Sequence, residues 1–514
     1  MIARKIATKR FSRGMVLVHT GVLLCLLVIA LAVPTAASSA NIRTKLIYNN
    51  AFGKLEVYST DDARGIDASN PFFKSMGTNG RACASCHKLQ DALGISTATI
   101  NALFWKTQGR DPIFRTVDGS NAPTGVYAQT RTISQRLKSF SMLLKHGVIR
   151  VGQPAVPPGA DFTVASIRDP YKFASPKELS LFRRPLPSVD LAFHTLAMWD
   201  GRESEDGRTA IIDALKHQAL DATLGHAQAS APPTDAQLAD IADFQLHLFA
   251  GQISSKLVGP LNVKGCDTQG PAGDEPGQPC GAARGGGVEL SKVLTEGNED
   301  FPAFFPGIND SFNNPDFNHT SFIIFEPWES ATLGSNPTVN GKPQNATLTA
   351  IRGKIGDGEN LFYTKQFNIT GVPGLNDVLG QPVVVGTCTT CHNAPDVGNH
   401  SQPRFFRIGV DSPSLSVNAL ARNLSDFPKY TFRRDSDGSQ ITTTDPGLAL
   451  RTGKFDDIGK FKVPALRGLA ARAPYFHNGA AGTLKDVLTF YNTRFHIGFT
   501  QDEMNKIILF LEQN

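Results

Sequence analysis

The sequence predicts a mainly α-helical protein in which two helical domains are joined by long loops. Amphipathic stretches with helical spacing occur in both halves of the chain, and a loop-rich segment separates them. The length of 514 residues exceeds that of one hydrophobic core, and 47 Gly with 32 Pro indicate a large share of ordered loop. We therefore expect short helices, long connections and a loop-rich insertion.

The N-terminus has the pattern of an export signal. Basic residues precede an uncharged apolar run over 15–33, which is followed by small residues up to Ala40. This pattern predicts a cleaved signal peptide over 1–40 and a periplasmic protein. The run is also long enough to cross a bilayer, so an uncleaved membrane anchor is the alternative. Cys25 lies inside the run and is expected to be removed with it.

The rest of the chain divides into three parts by composition. Residues 41–250 and 346–514 carry the helical patterns, whereas residues 251–345 are rich in Gly, Asn and Pro and form the predicted insertion. Within the insertion, Cys266 and Cys280 are expected to form a disulfide, because an exported protein does not preserve idle thiols. A metal site is the alternative, but no nearby His or third Cys completes a ligand set.

Three helices are predicted together with their ends or their buried faces. TDAQLADIADFQLHLF has helical apolar spacing at Leu238, Ile241, Phe244 and Leu248. A second helix starts after the N-cap Thr483 and has an inward face made of Leu484, Val487, Leu488 and Tyr491. The last helix starts with a capping box of Thr500 and Glu503. Its buried stripe is Met504, Ile507, Ile508 and Leu511.

One C-x-x-C-H motif lies in each helical region. In this motif the two cysteines form thioethers with the vinyl groups of a haem, and the histidine binds the iron. The motif residues are Cys83, Cys86 and His87, and Cys388, Cys391 and His392. The sequence therefore predicts two covalently bound haem c groups. A C-x-x-C disulfide or half of a zinc site is the alternative, and no second C-x-x-C pair completes a zinc ribbon.

The charge of the chain is uninformative about partners. The net charge is +5, and the basic residues are scattered rather than clustered. This distribution gives no argument for a nucleic-acid partner, and none is expected.

Two further segments resemble the bacterial dihaem cytochrome c peroxidase family, which includes the MauG-type protein-modifying enzymes. They are RRPLPSVDLAFHTLAMWDGRE and FKVPALRGLAARAPYFHNGAAGTLKDVLTFYN. The resemblance covers both haem regions but not 251–345, so the chain is similar to a long-form member. It implies two class I cytochrome c-like domains, with a peroxide-reacting haem at His87 and an electron-relaying haem at His392.

The resemblance implies roles for two residues near the first haem. The tryptophan of WDGR lies between the haems in this family, which points to Trp199 as an aromatic bridge, with a plain core aromatic as the alternative. Gln218 matches the glutamine that follows WDGR, although its spacing from Trp199 is longer here.

The acid-base residue of the first site departs from the family pattern. Gln228 stands where the family has a distal glutamate, and an amide does not titrate. We expect His226 to supply this function. The alternatives are that His226 is an ordinary loop histidine or that it binds the iron itself. His217 and His194 are weaker candidates.

At the second haem, family members supply a methionine or, in MauG-type members, a tyrosine. Counting along HNGAAGTLKDVLTFY puts Tyr491 at this position, which predicts it as the sixth iron ligand. Met504 is the alternative, although it fits the buried stripe of the last helix. His477 and Pro464 are expected to shape the same pocket without binding the iron.

The resemblance also bears on other ligands and partners. Family members often hold a calcium ion through backbone and side-chain oxygens. Pro474 matches one such position, whereas Arg472 stands where a threonine is usual. The implied partners are hydrogen peroxide and a small cytochrome c or cupredoxin as electron donor, and a homodimer is left open.

The leading functional prediction is a dihaem peroxidase that reduces hydrogen peroxide to water. The first alternative is a MauG-like oxidase that modifies a protein or organic substrate, which Tyr491 favours. A second is an oxygenase resembling the dihaem rubber oxygenases, suggested by the chain length. The third is a non-enzymatic dihaem electron carrier, which requires two six-coordinate irons.

Overall fold

Short helices and small antiparallel sheets alternate along the chain in this computed structural model. The structure describes residues 42–514 except 124, 155, 205–208, 267–280, 313–316, 335–336 and 414–417. These residues pack as one unit, and the predicted domain boundaries stay a prediction. The predicted signal segment, with Cys25, lies outside the described residues. Within the described ranges, no helix has the length and apolar character needed to cross a membrane.

The helices are mostly short and are spread over the whole chain. They are α1 Thr97–Thr107, α2 Ile133–Ser139, α3 Ser141–His146, α4 Ile211–Gly225, α5 Asp235–Leu246, α6 Gly287–Thr295, α7 Ser330–Leu333, α8 Ala346–Thr364, α9 Asn376–Leu379, α10 Ala449–Thr452, α11 Leu484–Phe495 and α12 Gln501–Gln513.

The strands lie between these helices. They are β1 Lys45–Asn49, β2 Gly53–Ser59, β3 Ile149–Pro154, β4 Phe162–Arg168, β5 Glu178–Arg183, β6 Leu248–Ser255, β7 Gly259–Pro260, β8 Thr338–Val339, β9 Lys342–Pro343, β10 Phe367–Thr370, β11 Val383–Gly386, β12 Phe405–Phe406, β13 Lys429–Arg434, β14 Gln440–Thr443 and β15 Phe461–Lys462.

The sheets are small and antiparallel. The largest has the order β1-β2-β6-β7, and a three-stranded sheet has the order β14-β13-β4. The remaining pairs are β3-β5, β8-β9, β10-β11 and β12-β15. The pairing of β4 with β13 joins Phe162 to Arg434 and Arg168 to Lys429, so segments far apart in sequence share one sheet.

The predicted mainly α class is wrong. The chain is 33% helical and 17% strand, and the expectation of two class I cytochrome c-like domains gains no support from this architecture. The physical reason is that segments inside the region predicted to be helical, 346–514, carry β-branched and aromatic residues, as in KYTFRR of β13 and VVVG of β11. Such residues favour extended backbone once a partner strand lies beside them.

The largest apolar core surrounds the packing of α8 against α12. Phe362 of α8 and Phe510 of α12 both meet the ring of Phe322, at centroid distances of 5.5 and 5.4 Å. Phe325 and Trp328 are fully buried in the same core. The predicted insertion over 251–345 therefore contributes central core residues, in addition to α6, α7 and short strands.

The predicted helix ends agree with the structure. Thr483 caps α11, and Thr500 with Glu503 forms the capping box of α12, so both predictions are confirmed. The helix predicted from TDAQLADIADFQLHLF is α5, but its last apolar residue, Leu248, starts β6 instead. Cys266 is buried and disulfide-bonded, whereas Cys280 lies outside the described residues.

Candidate active site

The two C-x-x-C-H motifs have the same local structure. Each folds into a 3-10 turn, over Cys83–Ser85 in the first and Cys388–Thr390 in the second. The backbone N–H of each motif histidine donates to the carbonyl of the first cysteine, at 3.0 Å for His87 and 3.1 Å for His392. This turn brings both sulfur atoms and the imidazole to one cavity wall.

Each motif histidine is oriented by a carbonyl six residues further along the chain. Nδ1 of His87 donates to the carbonyl of Leu93 at 2.9 Å, and Nδ1 of His392 donates to that of Gly398 at 2.5 Å. Burial lowers the pKa of both imidazoles, that of His392 to about 4. Each ring is therefore neutral and keeps the Nε2 lone pair for a metal, as metal-binding histidines do.

Two large cavities open beside these histidines, within the part of the chain that the structure describes. The space free of protein atoms in them, counted out to the open solvent at their mouths, is about 1460 and 1620 Å³. The walls are predominantly apolar. Two thiols, an imidazole with a free Nε2 and a large apolar space fit a covalently attached haem in each cavity.

The two cavities share a wall that contains Trp199. The wall residues that line both cavities are Arg184, Pro185, Pro187, Trp199, Lys462 and Ala465. Trp199 is buried, and its indole N–H donates to the carbonyl of Arg184 at 2.8 Å. The indole therefore lies in one orientation between the two cavities, where the resemblance implies an aromatic bridge.

One face of α4 lines the first cavity. Ile211, Leu215, Gln218 and Ala222 follow each other at helical spacing along this face. His226, the first residue after the helix, lines the same cavity. His217 is exposed on another face, and Gln228 is exposed without lining the cavity. Of the residues weighed for acid-base chemistry, the structure thus brings Gln218, His226 and His194 to the first cavity.

His226 is held by a buried ion pair. Its Nδ1 bonds to the carboxylate of Asp118, which also pairs with the guanidinium of Arg81. Arg81 in turn donates to the carbonyls of Pro112 and Ile113 at 2.8 and 2.7 Å. Burial alone would raise the pKa of Asp118, but the hydrogen bond with His226 and the charge of Arg81 lower it below its usual range. Asp118 is therefore ionised and fixes the His226 ring.

A second histidine in the first cavity faces a buried lysine. His194 is buried, and its Nδ1 lies 2.9 Å from Nζ of Lys462, which also donates to the carbonyl of Leu196 at 2.8 Å. Burial and the lysine charge lower the pKa of His194 well below its usual value. His194 is thus a neutral imidazole whose Nδ1 accepts a hydrogen bond from the lysine.

Tyr491 lines the second cavity. The inward face of α11 brings Leu484, Val487, Leu488 and Tyr491 to this cavity, together with Cys388, Cys391 and His392. Burial raises the pKa of Tyr491, and its hydroxyl has no hydrogen-bond partner among the described residues. Met504 lies in the apolar core and does not line the cavity. His477 and Pro464 do line it, in agreement with a pocket-shaping role.

The residues at the family's calcium positions do not fit a calcium ion. Pro474 and Arg472 both line the second cavity, but the carbonyl of Arg472 accepts a hydrogen bond from the guanidinium of Arg184 at 2.8 Å. Among the described residues, no group of three or more His, Cys, Asp or Glu is arranged to hold a metal ion. A calcium ion here would meet two buried guanidinium groups instead of anionic oxygens.

Several site residues were missed from the sequence. Asp118 and Arg81 orient His226, Met76 lines the first cavity, and Lys462 and Arg184 line both cavities. Arg81 lies two residues before Cys83 and Lys462 lies in FKVP, so closeness to the recognised motifs was a usable signal for these two. Asp118 lies 108 residues before His226, and nothing local marks it.

No protein-family model and no solved structure matches the chain. Cytochrome-c peroxidase IdrP1 from Denitromonas iodatirespirans is 31% identical over 137 residues, 24% of this chain and 36% of that protein. Cytochrome c551 peroxidase from Nitrosomonas europaea is 30% identical over 126 residues, 24% of this chain and 29% of its own. Methylamine utilization protein MauG from Paracoccus denitrificans is 32% identical over 111 residues, 21% of this chain and 26% of its own.

The matched region is limited in extent. The chain spans about a third or less of the length of these curated relatives. Those named as cytochrome-c peroxidases are oxidoreductases. Over about a quarter of its length, the chain is thus a homologue of the bacterial cytochrome-c peroxidases and of MauG.

Proposed function

We propose that this protein is a periplasmic dihaem c-type cytochrome peroxidase that reduces hydrogen peroxide to water. The electrons come from a small cytochrome c or cupredoxin. Relatives named as cytochrome-c peroxidases support this class of reaction, and the two C-x-x-C-H motifs support two haem c groups. The signal-like N-terminus supports export.

The observation that carries the proposal is the asymmetry of the two cavities. Both have the same motif turn and the same histidine orientation. Only the first adds a histidine held by a buried carboxylate, His226 with Asp118, whereas the second has the phenol of Tyr491. This difference is what a reactive site next to a relay site requires.

When bound, haem supplies the redox chemistry, and the chain's residues supply positioning and protons. His87 and His392 would hold the irons, because the Nδ1 atom of each ring already bonds to a carbonyl. The bond from Nδ1 of His226 to Asp118 leaves Nε2 of His226 to take a proton from peroxide and return it to the departing oxygen. The ionised Asp118 stabilises the imidazolium that forms. Reduction of one peroxide to water consumes two electrons and two protons. Because 35% of the His226 side chain stays exposed, water is able to supply these protons.

Gln218 and Trp199 complete the first site. The Gln218 amide lines the cavity and is able to donate a hydrogen bond to a bound oxygen. Trp199 lies in the wall between the cavities and offers an aromatic path for the electron that the second site delivers.

Peroxide-dependent oxidation of a reduced small cytochrome c tests the proposal. We expect turnover by the wild-type holoprotein and a loss of about 10²–10⁴-fold in kcat/KM for His226→Gln, because the acid-base group is gone. His217→Gln is the matched control, since His217 is exposed on the same helix. Wild-type activity of His226→Gln would contradict the assigned role, and no turnover of any donor by the wild-type protein would contradict the peroxidase.

A MauG-like oxidase is the second candidate, and Tyr491 is the observation that favours it. A phenolate ligand stabilises ferric iron and disfavours reduction by ordinary cytochrome donors. Electron paramagnetic resonance of the ferric holoprotein should show one high-spin and one low-spin iron. The low-spin signal should change in Tyr491→Phe and stay unchanged in Tyr363→Phe, since Tyr363 does not line the cavity. Two low-spin signals in the ferric state, with no high-spin signal appearing on half-reduction, would indicate an electron carrier instead.

A further inference from the structure

Buried cations line the wall shared by the two cavities. Arg184 and Lys462 line both cavities, and Arg472 lines the second. Their exposed fractions are 6%, 5% and 9%. Hydrogen bonds connect them to Trp199 and to each other. The indole of Trp199 donates to the carbonyl of Arg184, and the backbone N–H of Lys462 donates to the carbonyl of Trp199 at 3.0 Å. Arg184 donates to the carbonyl of Arg472 at 2.8 Å.

None of these cations has a carboxylate partner among the described residues. Arg184 donates to main-chain carbonyls, those of Ile95, His146, Gly147 and Arg472. Arg472 donates to the carbonyls of Ala465 and Arg467, and its Nε has no hydrogen-bond partner. Lys462 donates to the carbonyl of Leu196 and faces Nδ1 of His194.

The other buried arginines near the first cavity are neutralised. Arg183 pairs with Asp200 and Asp445, and Arg81 pairs with Asp118. The same protein thus places carboxylates beside buried arginines elsewhere. Arg184 and Arg472 at the shared wall have no such ion pair and donate to carbonyls instead.

Buried cations without an anionic partner are costly, because hydrogen bonds to carbonyls replace only part of the hydration that burial removes. Burial lowers the pKa of Lys462 to about 7 and that of Arg472 to about 10. Burial and the like charge of Arg472 lower the pKa of Arg184 to about 9. The wall is therefore short of negative charge, and an anion would stabilise Arg184 and Lys462 from either cavity and Arg472 from the second.

We propose that Arg184, Arg472 and Lys462 form an anion site that receives haem propionate carboxylates at the shared wall, in place of a bound metal cation. This inference rests on the proposed haem cofactors. Each haem carries two propionates, and the motif cysteines and histidines tether both haems in cavities that meet at this wall. Calcium is then unnecessary, because these three side chains already supply positive charge. Arg472 and Pro474 stand at the positions where the family binds calcium.

Reduction potentials of the holoprotein test the anion site. Loss of a buried positive charge beside the propionates favours ferric iron, so Lys462→Met should lower the potential of both haems. We expect a shift of about tenfold in the ferrous/ferric equilibrium, about 59 mV for one electron. Lys462→Arg keeps the charge and should retain most of the wild-type value. Lys454→Met, an exposed lysine nearby in sequence, is the matched control and should change nothing.

Calcium dependence gives a second test that needs no variant. Metal analysis of purified wild-type holoprotein should find no stoichiometric calcium, and dialysis against EDTA should leave the haem spectra and potentials unchanged. If the protein holds stoichiometric calcium and its removal changes the haem spectra, the three side chains do not take the place of a metal cation. Wild-type potentials in a folded Lys462→Met protein would overturn the anion site.

A count of the bound haems distinguishes failure of the proposed function from failure of the anion site. A purified chain without two haems in a pyridine haemochrome assay would contradict the cofactors themselves. Two bound haems whose reduction potentials do not change in Lys462→Met would contradict only the anion site.

Discussion

The carboxylate of Asp118 lies between two partners, the guanidinium of Arg81 and the imidazole of His226. Because the pKa of Asp118 is lower in the folded protein than in the unfolded chain, the charge of this residue stabilises the fold. That contribution is complete above the unfolded pKa of about 3.9 and is lost as the pH falls through the folded pKa. One carboxylate therefore links acid stability to the orientation of the proposed acid-base histidine.

Asp118→Asn should reveal this link. At neutral pH the variant should lose about 3–5 kcal/mol in the free energy of unfolding, because Arg81 remains buried without a counter-charge. The difference from wild type should shrink as the pH falls below about 4, because Asp118 becomes protonated first in the unfolded chain and then in the folded protein. Urea unfolding at several pH values measures this.

Asp426→Asn is the control for that experiment. Asp426 pairs with Lys145 at the surface, where 40% of the Asp426 side chain and 58% of the Lys145 side chain stay exposed. Surface pairs contribute about 0–1 kcal/mol, so its effect should be small. A constant deficit of Asp118→Asn down to the lowest pH would contradict the ionised carboxylate.

At the residue scale, the sequence identifies those functional side chains that belong to a short motif. The motif cysteines and histidines are recognised by spacing, and the structure gives both motifs one geometry. The partners of His226 and Lys462 could not be predicted, because the bond to Asp118 spans 108 residues and the contact of Lys462 with His194 spans 268. Such contacts depend on tertiary packing.

At the element scale, helices were more predictable than strands. The ends of α11 and α12 follow from capping residues that bond within one turn. Strands such as β13 depend on a partner far away, so KYTFRR has no local signal that separates it from a loop. The fold class was misjudged for this reason.

Gly358 marks the close approach of α8 to α12. A Cβ at this position would lie 2.0 Å from the backbone oxygen of Lys506. In an exposed helix, a substitution of glycine by alanine stabilises the helix by about 1 kcal/mol. Here the clash should reverse the sign and cost about 1–3 kcal/mol. Gly225→Ala, at the end of α4 with open space around it, should be neutral or stabilising.

Thermal or denaturant unfolding of the two variants measures the difference. A stable Gly358→Ala protein would mean that α8 and α12 do not pack as closely as described. A strongly destabilised Gly225→Ala would remove the control.

At the scale of the whole molecule, the two motif regions are interleaved. β4, from the first half of the chain, pairs with β13, and the buried Arg183 of β5 pairs with Asp445. We expect one cooperative unfolding transition, with coincident midpoints by far-ultraviolet circular dichroism and by haem absorbance. Haem absorbance at either site that melts well before the backbone signal would contradict this coupling.

The β4–β13 pairing also sets an order of assembly during synthesis. β4 ends at Arg168, but its partner strand begins only at Lys429, so this sheet has to wait until most of the chain has been made. The turn at Cys83–Ser85 needs nothing beyond its own neighbours to form. Until β13 has been made, β4 has no partner strand, because β13 is its neighbour in the sheet, and its backbone groups stay open to non-native pairing.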